Sequence, residues 1–322
     1  MSRRAWAVFL VLSAVWGMPY LLIKIAVEDV SPATLVFLRS GIAALVLIPY
    51  ALSRGGLRVP RRHWGALAAF AALEMIGPWL LLSWAQQHVT SSFTGVLIAA
   101  TPIVAIALGL ATGETDRPDR VRVGGMVVAL LGVALLLGLE VGVDDAAAVV
   151  ALLLVVLGYA AAPLVVSRSL GAVPAVRVNT WALALAALVY APIAAPELGG
   201  LPSLPGRTVT AVLLLGTLST ALALMLFFWL IRRAGPHRTL VVTFVNPVVA
   251  VALGALVADE ALTPGTAIGL PLILLGCVLA TRRGPGTSAA APVPEPHGTV
   301  RSEAVPGEAV PHETDPEPAV PG

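Results

Sequence analysis

The chain has 322 residues, 58% of them hydrophobic and 12% charged, with a formal net charge of +2. An ordinary soluble domain carries about 25% charged residues, so this composition cannot cover a water-soluble surface and points to the lipid bilayer as the main solvent. One cysteine, Cys277, excludes an intramolecular disulfide, a four-cysteine metal site and an iron–sulfur cluster.

A helix needs about 20 apolar residues to cross the hydrocarbon layer. Ten such runs follow one another, at approximately 5–27, 32–52, 64–86, 91–112, 123–141, 147–167, 176–196, 208–231, 239–258 and 265–281. Turn residues separate them, among them Ser31-Pro32, Gly55-Gly56, Gly199-Gly200, Gly235-Pro236 and Pro264-Gly265. Arg3-Arg4 ahead of the first run resembles the start of a cleaved signal. That run contains Pro19 and Lys24 and has a counterpart in the second half, so it is read as a retained span. At membrane depth each span must satisfy its own backbone groups, which makes every one a helix.

Lysine and arginine fix the expected orientation. With the N-terminus inside, sixteen arginines fall on the inner side, from Arg3 and Arg4 to Arg282 and Arg283, whereas the outer loops hold Arg207, with Lys24 near an outer span end. Glu28, Asp29, Glu140, Asp144, Asp145, Glu197, Asp259 and Glu260 are on the outer side. The expectation is a multi-pass plasma-membrane protein with both termini in the cytoplasm.

The chain also repeats itself. A shift of 145 residues carries Trp84, Thr94, Pro102, Val104 and Gly109 onto Trp229, Thr239, Pro247, Val249 and Gly254. A shift of 144 pairs Met18–Lys24 with Ala162–Arg168, so that Pro19 meets Pro163, and pairs Gly125 and Gly132 with Gly269 and Gly276. The expected domains are 1–142 and 143–283, followed by a proline-rich acidic tail, 284–322, that cannot bury enough apolar surface to order itself. Five spans per half is an odd number, so the second copy enters the membrane from the opposite side. The predicted fold class is therefore an all-α integral membrane protein, ten helices forming two inverted five-helix repeats around a central cavity. Secondary transporters use such repeats because exchanging the halves' roles gives two conformations, open to either side.

Ionisable groups at membrane depth are costly and are functional candidates by default. Arg39 lies about 10 Å inside the second span at 1.5 Å per residue; it faces protein or a watery cavity, or braces helix-end carbonyls. Glu74 stands near the middle of the third span, where it either couples proton flow to solute movement or holds helices together through an arginine. Pro102 and Pro247 each remove a helical hydrogen bond, freeing the carbonyls of Ile98 and Thr243. Asn246 and Thr101 add polar groups at that depth and could touch a solute. Pro19, Pro102, Pro163 and Pro247 are the expected helix kinks. Trp16, Tyr20, Trp79, Trp84 and Tyr159 offer aromatic surface for a cavity or for packing. The glycine pairs Gly109/Gly113, Gly138/Gly142 and Gly265/Gly269 suit close helix packing or a homodimer face. Enzyme signals are missing: the five histidines fall in loops or the tail, no metal-ligand spacing occurs, and no phosphate-cradling loop is present. No metal or other cofactor and no nucleic-acid partner is expected.

WGMPYLLIK in the first span and VFLRS in the second are similar to the drug/metabolite transporter superfamily, specifically its EamA-like proteins. TPIVAIALGLATGE and VNPVVAVALGALVADE, LGTLSTALALMLFFWLIRRAG and GLPLILLGCVLATRR resemble that family's fourth, ninth, eighth and tenth spans. The resemblance spans about residues 5–283 and implies a basket of ten helices moving small solutes, often outward, by secondary transport. The sequence departs from equal halves where Thr101 stands opposite Asn246 and Ala160 opposite Trp16. The expectation is a proton- or gradient-driven exporter of small metabolites or drug-like compounds, with an importer or facilitator of the same fold as the alternative. A membrane enzyme or a scaffold acting through the tail is a further alternative.

Overall fold

The computed structural model describes residues 2–113, 118–140, 145–235, 239 and 242–282. The expected tail at 284–322, the acid Glu114 that ends TPIVAIALGLATGE, and the junction around residue 142 lie outside the described residues. Eight helical spans are long and apolar enough to cross a membrane: Arg3–Ala26, Pro32–Ser53, Arg61–Ala85, Ser91–Ala111, Arg120–Leu139, Ala146–Leu170, Ala175–Ser203 and Gly206–Ala234. Two shorter apolar helices, Val242–Val257 and Pro264–Ala280, complete ten. The ends agree with the sequence reading to within a few residues except in the seventh, where a 3-10 segment, Ala195–Ser203, continues the helix past Ala194. Helix starts are closed by side-chain oxygens: those of Ser31, Thr90 and Thr263 accept from the N–H groups of Thr34, Phe93 and Thr266. Asp119 accepts from Arg122 in the same way, and Asp119 and Thr263 are equivalent positions of the two halves at the 144-residue shift.

Span ends alternate between two faces, and the polar cross-links show it. On the face where the chain enters at Arg3, Arg177 Nη2 donates to the Gly55 carbonyl at 2.6 Å and Trp181 Nε1 to that of Leu57 at 2.8 Å. Arg122 Nε donates there to the Ala280 carbonyl at 3.1 Å. On the opposite face Lys24 Nζ donates to the Gln86 and Val89 carbonyls at 2.8 and 3.1 Å. There too Arg207 pairs with Glu28 at 2.6 Å, Thr208 donates to Asp29, and Glu260 accepts from Ser91 and Ser92. The halves are thus inserted in opposite senses.

Packing obeys the exchange of each span with the one five places on. The first span lies against the ninth and the eighth, and the sixth lies correspondingly against the fourth and the third. The second packs along the seventh, the fourth along the ninth and the fifth along the tenth, each pair being its own image. Glycine makes the last pair close. A Cβ on Gly125 would stand 2.8 Å from the Gly276 carbonyl oxygen, and one on Gly269 would stand 3.1 Å from that of Gly132. The two contacts are images of each other, so the stripe containing Gly269 is occupied within the chain.

Candidate functional site

The third span is not a continuous α-helix. Ala72–Ile76 forms a π-turn, with the Gly77 N–H bonded back to the Ala72 carbonyl. Pro78 supplies the cause: it has no N–H for the Glu74 carbonyl, and its ring would collide with that carbonyl in a regular α-helix. One extra residue in the turn relieves the clash and re-aims Glu74. Neighbouring spans then satisfy and enclose the loosened backbone. Tyr190 donates to the Ile76 carbonyl at 2.9 Å, and Gly158 of the sixth span approaches so closely that a Cβ there would lie 2.6 Å from the Leu73 carbonyl oxygen.

The eighth span has a π-turn at the equivalent place, Thr217–Leu222, which the 145-residue shift lays over Ala72–Ile76. No proline follows it. Instead the Thr220 hydroxyl donates to the Leu215 carbonyl, five residues back, at 2.7 Å. Each π-turn packs on the second-type helix of the other half, Ala72–Ile76 on the seventh span and Thr217–Leu222 on the second. A third π-turn, Val166–Leu170, ends the sixth span just beyond Pro163.

Arg39 joins the second of these turns to the helix that follows the first, Gly77–Ala85. Its side chain is 8% exposed; Nε donates to Thr220 Oγ1 at 3.0 Å, and the guanidinium carbon stands 3.8 Å over the centroid of the Trp79 ring. Tyr20 and Tyr159 lie within electrostatic reach of Arg39, and Tyr159 also lies within reach of Glu74. Glu74 is partly buried and takes no hydrogen bond or ion pair among the described residues. Arg39 does not pair with it, and Lys24 is held by backbone carbonyls at the opposite face. The structure therefore gathers Tyr20, Arg39, Glu74 and Tyr159 in one polar cluster within an apolar bundle.

The other candidates stand elsewhere. Trp16 packs against Phe227 with ring centroids 4.9 Å apart, and Trp84, the last residue but one of its span, packs against His88 at 4.6 Å. Asn246 has a buried Oδ1 without a hydrogen-bond partner; its carbonyl oxygen would lie 2.9 Å from a Cβ on Gly17 of the first span. The four prolines differ in effect. The regular helix is interrupted at Met18 before Pro19 and at Ala99-Ala100 before Pro102, but continues through Pro163 and Pro247. The Ile98 carbonyl freed by Pro102 is taken by the Thr101 hydroxyl at 2.6 Å, and the neighbouring Ala99 carbonyl receives the Cys277 thiol at 3.4 Å. On the N-terminal face a cleft of ≈ 460 Å³, lined chiefly by Phe70, Val166, Leu170, Val173 and Val178 with Asn179 at its edge, opens between the third, sixth and seventh spans.

Thr220 and Pro78 are the members that sequence reasoning passed over. A usable signal existed: the 145-residue shift places Glu74 on Ser219, beside Thr220, in an otherwise apolar run.

The sequence pattern of the EamA-like transporter family matches residues 4–138 and again 146–282. An Escherichia coli K12 protein named an uncharacterized inner membrane transporter, YedA, is 26% identical over 279 residues, 83% of this chain and 87% of that protein. The Bacillus subtilis uncharacterized transporter YoaV is 24% identical over 277 residues, 83% of this chain and 93% of its own. An Archaeoglobus fulgidus protein named an uncharacterized transporter is 24% identical over 290 residues, with 87% and 99% covered. A crystal structure superposes with a TM-score of 0.62 at 22% identity, covering 87% of this chain and 98% of that one, and shares the fold. Two matched halves, inserted in opposite senses and joined at a common polar cluster, make this chain a member of the EamA-like transporter family, within the drug/metabolite transporter superfamily, and so a membrane transporter rather than an enzyme.

Proposed function

We propose that the protein exports small solutes across the plasma membrane by alternating access, driven by protons that bind and leave Glu74. The observation that carries this reading is the setting of that carboxyl: a π-turn in mid-span, without an ion-pair partner among the described residues, beside a cluster shared by both halves. A carboxyl group with no fixed counter-ion exchanges its proton when access switches from one side to the other. The halves, divided near residue 142, exchange roles in that switch. The basic N-terminal face is cytoplasmic by the positive-inside rule, and the cleft on that face is the place of solute entry, consistent with outward movement. The E. coli relative's printed name places that protein in the inner membrane, which fits this location.

Proton flux in proteoliposomes, followed with an internal pH-sensitive dye while solutes are added, tests the proposal. The wild-type protein should move protons when a transported solute is present. Glu74→Gln should remove solute-driven proton movement and leave solute exchange equal with and without a pH gradient. An unchanged pH dependence in Glu74→Gln removes Glu74 from coupling.

A further inference from the structure

Among the polar groups outside the coupling scheme are the unpartnered buried Oδ1 of Asn246, the unpartnered buried amide of Gln86, and the free end of Arg39. The last carries an inference furthest, because its surroundings fix both its direction and the chemistry it can accept.

We propose that the Arg39 guanidinium is the anion-binding fork of the transport site, that Thr220 aims it, and that the solute carries a single carboxylate on a flat apolar body. This rests on the transport reading above. A guanidinium has five N–H donors in a rigid plane. In Arg39 the Nε–H donates to Thr220 Oγ1 at 3.0 Å and one face lies on Trp79 at 3.8 Å, while the two Nη groups donate no hydrogen bond to the protein among the described residues. Unmet donors on a charged group at membrane depth are costly. Two Nη groups in one plane match the two oxygens of a carboxylate.

Thr220 owes its role to the π-turn. In a regular helix a threonine hydroxyl bonds the carbonyl three or four residues back. Here it donates to Leu215, five residues back, at 2.7 Å. Its proton is therefore committed, and the lone pairs left on Oγ1 can only accept. Arg39 Nε meets that acceptor from the second span, in the other half of the molecule. Thr220 is thus a positioning residue: it touches the arginine and orients the fork.

The single charge of the solute follows from the inventory of cations. Lys24 is bound to carbonyls at the opposite face, which leaves Arg39 as the cation of the cluster. A dianionic phosphate would leave one charge uncompensated in a low-dielectric site and would be repelled by an ionised Glu74. The Trp79 ring lying flat against the guanidinium favours a flat apolar body next to the carboxylate.

Quenching of tryptophan fluorescence in full-length protein in lipid nanodiscs provides the test, with 4-nitrobenzoate, 4-nitrobenzamide and 4-nitrophenyl phosphate as probes. The carboxylate should quench saturably, with the amide and the phosphate each binding at least about tenfold more weakly, the loss expected for one charge-assisted hydrogen-bond pair. Thr220→Val keeps the shape without the hydroxyl and should weaken the carboxylate about tenfold while leaving the amide unchanged. Thr220→Ser should restore binding to within about twofold, and Arg39→Gln should erase the carboxylate-to-amide ratio. That ratio is taken on one sample, so a partly unfolded variant does not distort it. Equal binding of carboxylate and amide, no saturable carboxylate quenching, or equal behaviour of Thr220→Val and Thr220→Ser overturns the proposal. Coupled proton flux with no carboxylate preference would sink this inference alone. A carboxylate preference with Glu74→Gln fluxes unchanged would sink only the coupling scheme.

Discussion

Glu260 shows how one side chain can hold the two halves together. It stands just after the ninth span and accepts from the Ser91 and Ser92 N–H groups at 2.7 and 2.9 Å and from the Ser92 hydroxyl at 2.5 Å. Those N–H groups begin the fourth span, so they have no partner in their own helix and carry the positive end of its dipole. Partial burial alone would raise the Glu260 carboxyl, but the hydrogen bonds from Ser92 and Ser91 outweigh it and hold the group below the usual carboxylate range. A folded-state pKa below the unfolded one means that the stabilisation is complete above the unfolded value, near 4.5, and is lost as pH falls through the lower folded value. Glu260→Gln should therefore lower stability at pH 7 by about 1–2 kcal/mol. The difference from wild type should close as the pH drops below about 4.5 in thermal unfolding. A gap that stays constant down to acid pH would show that charge plays no part in the contact. Glu260 and Ser92 are 168 residues apart, and no local pattern connects them. By contrast, Arg39 and Glu74 were legible as candidates because a charge inside an apolar run is conspicuous in any sequence.

At the scale of the helix, the informative features are defects. Ten apolar runs between turn residues gave the spans, because hydrophobic length against bilayer thickness is a one-dimensional property. The π-turns were not legible in that way. Pro78 could have flagged the first, but the second has no proline, and its geometry depends on the Thr220 hydroxyl and on Arg39 arriving from another helix. Proline was also an uneven guide: the regular helix is interrupted before Pro19 and Pro102 and runs on through Pro247, because neighbouring groups decide how a lost hydrogen bond is made up. The fifth and tenth spans depend on another local property, the absence of side chains. A Cβ at position 276 would come within 2.6 Å of the Gly125 carbonyl oxygen, a backbone atom that cannot rotate away. Gly276→Val should therefore separate the pair and destabilise the protein by about 1–3 kcal/mol, seen as a lower melting temperature in detergent. Gly138→Ala, which meets nothing within 4 Å, should leave it unchanged. Equal melting of the two variants would contradict the close packing.

At the scale of the molecule, the exchange of each span with the one five places on organises the contacts, the π-turns and the glycine seam together. It also makes a topological prediction. Single cysteines placed at Gly56 and Gly171 should react with a membrane-impermeant thiol reagent from the same side, and one placed at Gly199 should react from the other. Labelling of all three from one side would break the inverted repeat. In right-side-out vesicles the first two should be protected, which checks the cytoplasmic assignment of the basic face. Sequence alone determined the medium, the number of spans, their alternation and the duplication. These are properties of composition, length and register, set by lipid and carried along the chain. Tertiary structure decided which polar groups meet. Arg39 with Thr220, Glu260 with Ser92, and Glu74 without a counter-ion among the described residues each depend on the lateral placement of helices from opposite halves, and that placement comes from side-chain packing across the pseudo-twofold axis rather than from any pattern along one span.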